Sequence, residues 1–282
     1  MFANSLLIIG HTSYIGGYIT QGAESAGAKV QTASSRECDF LDAEQCSRFF
    51  ESLPAGKWTV IFLSVINKTV NNDFDAFQRN VHLVRNFTRA QSSADIGGIV
   101  YFSSVDVYGN NPEEPITEQS RIQPDTWYGL AKYNCEWILS SPGEVRCPVT
   151  ILRVPGVYGP ALKDRSVIGR LVRSIRETRT ASISGSGRAQ RDYVYIGDVL
   201  KLISRLVPLG YHGVLNVVTG QSHSILDIAQ VAGEVLKQKF EIKHEPPDTT
   251  REFDLKFDNR LLLSLVPGFE FTDLRAGIAS YD

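Results

Sequence analysis

Tyr128 and Lys132 stand four residues apart in the run Tyr128-Gly129-Leu130-Ala131-Lys132, and Ser104 closes the mostly apolar run Tyr101-Phe102-Ser103-Ser104. On a helix, positions i and i+4 share one face. A phenol with an ordinary pKa of about 10 holds its proton too tightly to exchange it readily near neutrality. A neighbouring ammonium favours the phenolate and makes the pair an effective acid/base. A hydroxyl at Ser104 can bond a carbonyl oxygen as negative charge develops on it. The set suits reduction of a ketone, in which carbon takes a hydride and oxygen a proton. An exposed i,i+4 surface pair fits the Tyr128/Lys132 spacing alone equally well. Asp106, two residues after Ser104, is either a second acid or orienting group, or a cap on its own loop.

Side chains of this kind need a scaffold. Apolar, β-branched runs at 6–9, 29–32, 59–63, 99–102 and 149–154 alternate with helical patterns at 15–26, 43–51, 76–91 and 127–139. Continuous apolar strands separated by helices imply a parallel sheet covered on both faces. Right-handed crossovers then give a doubly wound α/β fold, with ligands across the carboxyl ends of the strands. Beyond about residue 155 the pattern breaks up at Pro155-Gly156, Gly159-Pro160 and Gly185-Ser186-Gly187. A further run at 213–218 and a helix from Ser224 to about Lys237 follow. The expected organisation is a nucleotide-binding domain over 1–155 carrying Ser104, Tyr128 and Lys132, and a smaller C-terminal substrate lobe over 156–282. The lobe is expected to interleave with the main domain, with about 190–225 returning to its sheet.

The first strand leads into Gly10-His11-Thr12-Ser13-Tyr14-Ile15-Gly16, a glycine turn opening a helix. A pyrophosphate there meets free backbone N–H groups and the positive helix end. Gly10 suits the tight turn and Gly16 close packing of helix on strand. An ordinary glycine turn is the plainer alternative. After the second strand the chain reads Ser34-Ser35-Arg36-Glu37. A carboxylate at this point would bond the ribose 2′-hydroxyl of NAD, whereas Arg with small donors suits the 2′-phosphate of NADP(H). Arg36 favours NADP(H), Glu37 is the rival one residue on, and a solvated surface Arg36 is the third option.

The bulk properties narrow the classes. A formal net charge of −2 gives no electrostatic case for nucleic acid or an anionic membrane as partner. The four cysteines, Cys38, Cys46, Cys135 and Cys147, form no metal-binding spacing and read as reduced thiols. No apolar stretch nears the roughly 20 residues that span a bilayer. The N-terminal apolar run lacks a basic flank and a cleavage site. A cytoplasmic protein without a metal is expected.

Taken in order, these pieces resemble the extended short-chain dehydrogenase/reductases that epimerise, dehydrate or reduce nucleotide sugars. The resemblance runs from Leu6 to about Asp254. It includes Asn80-Val81, Leu152-Arg153, Val157-Tyr158-Gly159-Pro160 and Arg191-Asp192-Tyr193-Val194 through Asp198-Val199. Ser13 stands where that family has the middle glycine of its G-x-x-G-x-x-G. The resemblance implies an NAD(P)-binding Rossmann fold. It implies cofactor contacts from Gly10, Thr12, Ser13, Tyr14, Ile15, Gly16, Ser34, Ser35, Arg36, Asp39, Phe40, Leu63, Ser64, Asn80, Tyr128 and Lys132, with Lys132 on the nicotinamide ribose. It also implies that Arg191 and Arg251, the latter in Arg251-Glu252-Phe253-Asp254, hold the diphosphate of a nucleotide-sugar substrate, with Lys163, Arg165 and Arg188 adding positive potential. Structural ion pairs are the alternative for both arginines. Gly156 replaces an Asn common in the family. Members are commonly dimers, so a homodimer is implied as well.

Dehydratases of this group carry an Asp-Glu pair after the Ser/Thr, and here Val105-Asp106 supplies half of it. Reductases that also epimerise use a Cys at the position of Asp106 with a distant His, and neither is present. The leading expectation is an NADPH-dependent reductase of a nucleotide-linked 4-keto-6-deoxy sugar. The alternatives are a 4-epimerase or dehydratase that retains its NAD(P), and a non-catalytic NADP(H)-sensing protein.

Overall fold

A computed structural model describes residues 5–110, 112–160, 164–246 and 253–281. The chain begins as alternating strands and helices: β1 (Ser5–Ile9), α1 (Tyr14–Ser25), β2 (Val30–Ala33), α2 (Ala43–Glu51), β3 (Trp58–Phe62), α3 (Phe74–Ala90), β4 (Ile96–Ser104), α4 (Trp127–Ser140) and β5 (Val149–Val154). A single 3₁₀ turn, Val105–Tyr108, follows β4. Then come β6 (Gly156–Tyr158), α5 (Val167–Thr178), β7 (Thr180–Ser184), β8 (Gln190–Tyr195), α6 (Ile196–Leu206), β9 (Gly213–Asn216), β10 (Ser222–Ser224), α7 (Ile225–Val235), β11 (Glu241–Glu245), α8 (Arg260–Leu265) and α9 (Leu274–Ala279).

Six strands form a parallel sheet in the order β2-β1-β3-β4-β5-β9. The order reverses beside β1, which pairs in parallel with both β2 and β3. Loops leaving β1, β3 and β4 therefore emerge on one edge, at the switch point where doubly wound sheets take ligands. The doubly wound α/β architecture read from the sequence is the one observed, a Rossmann fold.

The chain divides into two compact units. The first comprises Met1–Gly109, Ile122–Arg153 and Leu200–Leu215; the second comprises Asn110–Arg121, Val154–Val199 and Asn216–Asp282. The first core is rich in aromatic rings. Phe40, Phe50, Phe62, Phe87 and Tyr101 are all buried in it, with Phe62 and Phe87 centroids 4.9 Å apart. Each such ring contributes about 1.5–3 kcal/mol by leaving water. Side-chain caps start each helix on the sheet: Ser13 for α1, Asp42 for α2, Asp73 for α3 and Thr126 for α4. Each satisfies a backbone N–H that the helix cannot, worth roughly 0.5–2 kcal/mol.

In the second unit a three-stranded sheet, β10-β8-β6, stands beside the parallel pair β11-β7. Helices α5 and α7 bury Ile168, Val172, Ile175, Ile228 and Ala232 in a common core. Asp192 of β8 accepts from the Thr219 and Gly220 backbone N–H groups and from the Thr219 hydroxyl, stapling that turn. Burial pushes its carboxyl up to about 6. Most of these strands are absent from the sequence reading because Thr180–Ser184, Gln190–Tyr195, Ser222–Ser224 and Glu241–Glu245 are largely polar and show no apolar run.

Strand β4 is longer than its apolar core suggests, since Gly97 and Gly98 weaken the strand signal at its start. Its far end is tied down by a polar network inside the first unit. Glu136 of α4 accepts Nε and Nη2 of Arg153 on β5 at 3.1 and 2.7 Å, and it also accepts the Ser103 hydroxyl. Arg153 Nη1 donates to the Tyr108 hydroxyl at 2.9 Å. Both charged side chains are only 5% exposed, so neither can exchange its partner for water. Removing one member strands a buried charge, at a cost of about 3–5 kcal/mol. Glu136→Leu and Arg153→Met should each lower unfolding free energy by that order in urea titrations. The double variant should lose clearly less than the sum of the two. Strict additivity would show that the pair does not act as a unit.

Candidate active site

The turn after β1 is shaped by two glycines. Gly10 lies at φ +94°, and a Cβ there would come within 2.8 Å of the Ser64 amide nitrogen. The exits of β1 and β3 thus touch through backbone alone. A Cβ on Gly16 would stand 2.3 Å from the Gly10 carbonyl oxygen, so α1 can press against the turn only because that atom is missing. Ser13 Oγ accepts the Gly16 N–H at 3.1 Å and donates to the Gly10 carbonyl at 2.8 Å. Its one proton is used inside the loop, so an anion at this helix end would meet backbone N–H groups rather than the Ser13 hydroxyl. His11 Nδ1 is buried without a hydrogen-bond partner. The turn, the close helix start and this orphaned nitrogen fit the phosphate end of a dinucleotide.

After β2 the chain makes a turn closed by Glu37, whose carboxylate accepts the Ser34 amide at 2.7 Å and the Ser34 hydroxyl at 2.5 Å. The hydroxyl bond is the main reason the Glu37 carboxyl is held below its usual range. Ser35 and Arg36 are exposed. The acid that rivals Arg36 in the sequence is therefore tied to Ser34, and the Ser34 proton is directed at Glu37. Asp39 accepts the Leu41 N–H at 3.0 Å. Phe40 is 3% exposed and packs edge-on to Phe50 and Phe62. Its ring belongs to the core, which leaves only its backbone to meet a ligand.

Leu63 and Ser64 follow β3, and the next residues are held by Asn80. That side chain, buried on α3, accepts the Ile66 N–H at 2.7 Å and donates to the Ile66 carbonyl at 3.1 Å. Asn80 thus acts on the loop rather than presenting its amide outward. The same loop reaches α4, where Asn72 Oδ1 accepts the Tyr128 N–H at 3.0 Å.

Ser104 ends β4 and its Oγ accepts the Asp106 N–H at 3.1 Å. Gly129 lets α4 close on this turn, since a Cβ there would lie 2.6 Å from the Asp106 carbonyl oxygen. Tyr128 is brought against Ser104, whose hydroxyl favours its ionised form. Lys132 is 3% exposed. Its Nζ donates to the Phe102 carbonyl at 2.6 Å and lies 5.8 Å from the Tyr128 ring centroid and 4.9 Å from that of Tyr101. Ser104, Tyr128, Lys132 and Asp106 are thus together in the first unit. The Tyr128 phenol is pushed up, first by burial and then by the Asp106 charge, with the Ser104 bond opposing. Burial brings the Lys132 amine down to about 8, against the pull of Cys135, Glu136 and Asp106.

Two participants were missed by sequence reasoning. Lys68 pairs with Asp106 and sits 5.6 Å from the Tyr128 ring centroid. Nothing in the local sequence marks a lysine in an irregular loop. Glu136 was also missed, although an arginine inside the apolar strand Val149–Val154 signals a buried acidic partner. In the second unit, Arg191 Nη1 donates to the Gln190 carbonyl at 2.8 Å and to the Phe253 carbonyl, with the guanidinium 4.7 Å from the Phe253 ring centroid. Gly156 faces the Tyr193 ring, which a Cβ would meet at 2.7 Å. Arg251 and Lys163 lie outside the described residues. Among the described residues no cluster of three or more potential ligands could hold a metal ion, and no helix is long and apolar enough to cross a membrane.

The model of the NAD dependent epimerase/dehydratase family matches residues 6–217, and the chain belongs to that family. The dTDP-D-glucose 4,6-dehydratase of Mus musculus is 27% identical over 161 residues, which are 56% of this chain and 45% of that protein. This chain therefore spans about half the length of such relatives. A putative UDP-glucose 4-epimerase of Methanocaldococcus jannaschii is 28% identical over 222 residues, 77% of this chain and 72% of that one. Among solved structures, the NAD-dependent NDP-hexosamine 5,6-dehydratase TunA superposes with a TM-score of 0.84 at 20% identity, covering 99% of this chain and 96% of that one. RMD from Pseudomonas aeruginosa, solved with NADPH, gives 0.81 at 21% identity over 99% and 97%.

Lys132 yields a stability prediction with a definite sign. Below about pH 8 both folded and unfolded chains carry its proton. Between about 8 and 10.4 the unfolded chain keeps a proton that the folded one has shed, so the relative stability of the fold rises with pH. Wild type compared with Lys132→Met should gain up to about 3 kcal/mol across that window. Urea unfolding at a series of pH values reads this directly. A flat difference would mean the amine is not held in a desolvated site.

Proposed function

We propose that this chain is an NADPH-dependent reductase of a nucleotide-linked 4-keto-6-deoxy sugar. The observation that carries the reading is the meeting of Ser104, Tyr128 and Lys132 at the carboxyl end of β4, with the Lys132 amine desolvated. A bound nicotinamide would supply the hydride. Tyr128 then gives its proton to the carbonyl oxygen, and Ser104 donates to that oxygen as charge develops. Lys132 carries the positive charge that favours the phenolate left behind. The turn of Gly10, Thr12, Ser13, Tyr14, Ile15 and Gly16 places the pyrophosphate at the positive start of α1, with the Gly10, Ser13 and Gly16 N–H groups bonded within the chain, while Leu63, Ser64 and Asn80 shape the loop beside it.

Arg36 supports NADP(H), because an exposed guanidinium beside the Ser34 turn is a forked partner for a 2′-phosphate. Arg191 and Arg251 are assigned to the substrate diphosphate by their place in the family motifs. Val105 stands where a dehydratase has its first acid, which weighs against elimination. The second reading, a 4-epimerase or dehydratase with retained NAD, draws support from Glu37, a carboxylate at the end of β2 that suits a ribose hydroxyl.

Calorimetry tests the binding assignments. NADPH should bind well ahead of NADH, and Arg36→Ala should erase most of the difference, roughly 1.5–3 kcal/mol for a charged hydrogen bond. Arg191→Ala should weaken a bare nucleoside diphosphate and leave NADPH affinity unchanged. Equal affinity for both cofactors in the wild type would remove the NADP(H) assignment and favour the role of Glu37.

Turnover tests the reaction. The purified protein should consume one NADPH per product with a 4-keto nucleotide sugar. Tyr128→Phe should be slower by roughly 10²–10⁴-fold. Epimer formed from a saturated nucleotide sugar, with bound cofactor recovered unchanged, would decide for the second reading.

A further inference from the structure

Lys68 lies in the loop after β3, outside every motif of the sequence, yet its ammonium meets Asp106 and stands 5.6 Å from the Tyr128 ring centroid. The loop is held for this contact at two points. Asn80 fixes Ile66 through both its amide atoms, and Asn72 accepts the Tyr128 N–H. Lys68 and Asp106 are 30% and 24% exposed, partly withdrawn from solvent screening. The groups facing Tyr128 are the Ser104 hydroxyl, the Asp106 carboxylate, the two ammoniums of Lys68 and Lys132, and Tyr101. Lys132 is already bonded to the Phe102 carbonyl. Of the two ammoniums, Lys68 is the one in ion-pair contact with Asp106.

We propose that Lys68 is a positioning residue of this site, holding Asp106 in an ion pair beside Tyr128 and offsetting part of the carboxylate's negative charge at the phenol oxygen. The idea rests on Tyr128 being the proton donor. Asp106 disfavours the phenolate even with Lys68 paired to it, since like charges at close range oppose ionisation. A cation on Asp106 removes part of that opposition, so the pair sets how readily Tyr128 can part with its proton. A loop anchor with no electrostatic role would hold the same geometry but leave the titration of Tyr128 unmoved on its loss.

The test is a tyrosinate ultraviolet difference titration of the cofactor-saturated protein, each form read against its own Tyr128→Phe counterpart. Lys68→Met should move the Tyr128 titration upward by about one pH unit, a tenfold smaller phenolate fraction at fixed pH. Lys68→Arg should titrate with the wild type. Asp106→Asn should move the titration downward, and Lys68→Met in the Asp106→Asn background should add little further. The measurement needs no sugar, so it stands or falls separately from the substrate assignment. A Lys68→Met titration that coincides with the wild type overturns the proposal. So does an upward shift that persists undiminished in the Asp106→Asn background. Absence of any Tyr128-dependent titration in the wild type before the protein unfolds overturns it too.

Discussion

A carboxylate sealed inside a protein must be surrounded by donors, and Glu136 takes its donors from two neighbouring strands. Ser103 of β4 and Arg153 of β5 both bond it, and the Arg153 guanidinium continues to Tyr108 in the turn after β4. Helix α4 cannot slide or rotate without breaking several charge-assisted bonds in a medium where none can be replaced by water. Lys132 is one helical turn before Glu136 and Tyr128 one turn before that. The register of Tyr128 and Lys132 against Ser104 is therefore set by a group one or two helical turns further along α4. Gly129 completes the fit from the other side, by leaving out the one atom that would hold α4 away from Asp106.

The loops around the sheet edge share a habit. Ser13 bonds its own turn, Ser34 bonds Glu37, and Asn80 bonds Ile66 through both amide atoms. Each is a polar residue that motif reading assigns to a ligand, and each directs its donor at the chain. A hydroxyl has one proton, so a donor used locally is unavailable elsewhere. Rigid loops result, with backbone N–H groups and the exposed Arg36 as the parts able to meet phosphate. Preorganisation of this kind lowers the ordering cost of binding.

Around Tyr128 the balance is electrostatic. Burial alone makes a phenol harder to ionise and an ammonium easier to discharge, and both effects are present at Tyr128 and Lys132. The short-range argument from sequence, in which Lys132 simply lowers the Tyr128 pKa, omits desolvation and the Asp106 charge. In the folded chain those two dominate, while Lys132 faces the Phe102 carbonyl. The field at the phenol depends on five charged or polar side chains, Lys68, Tyr101, Ser104, Asp106 and Lys132, drawn from three separate stretches of chain.

The sequence by itself determined the sheet and its order of construction. Five apolar runs and the helices between them carry periods long enough to read, and observed boundaries such as Ala43–Glu51 and Val149–Val154 match those expected. It also pointed to the family and to the placement of Ser104 at a strand end and of Tyr128 and Lys132 on one helix face, because i,i+4 spacing and a strand-end serine are local properties. Tertiary structure alone decided what depends on distant chain coming together. Lys68 reaches Asp106 across 38 residues, Glu136 meets Ser103 across 33, and β9 lies next to β5 in the sheet. It also decided that the Phe40 ring enters the core and that Glu37 is bound to Ser34, since burial and hydrogen-bond choice follow from what surrounds a residue. The physical reason is the same throughout: periodicity and chirality act along the chain, whereas desolvation and charge act through space.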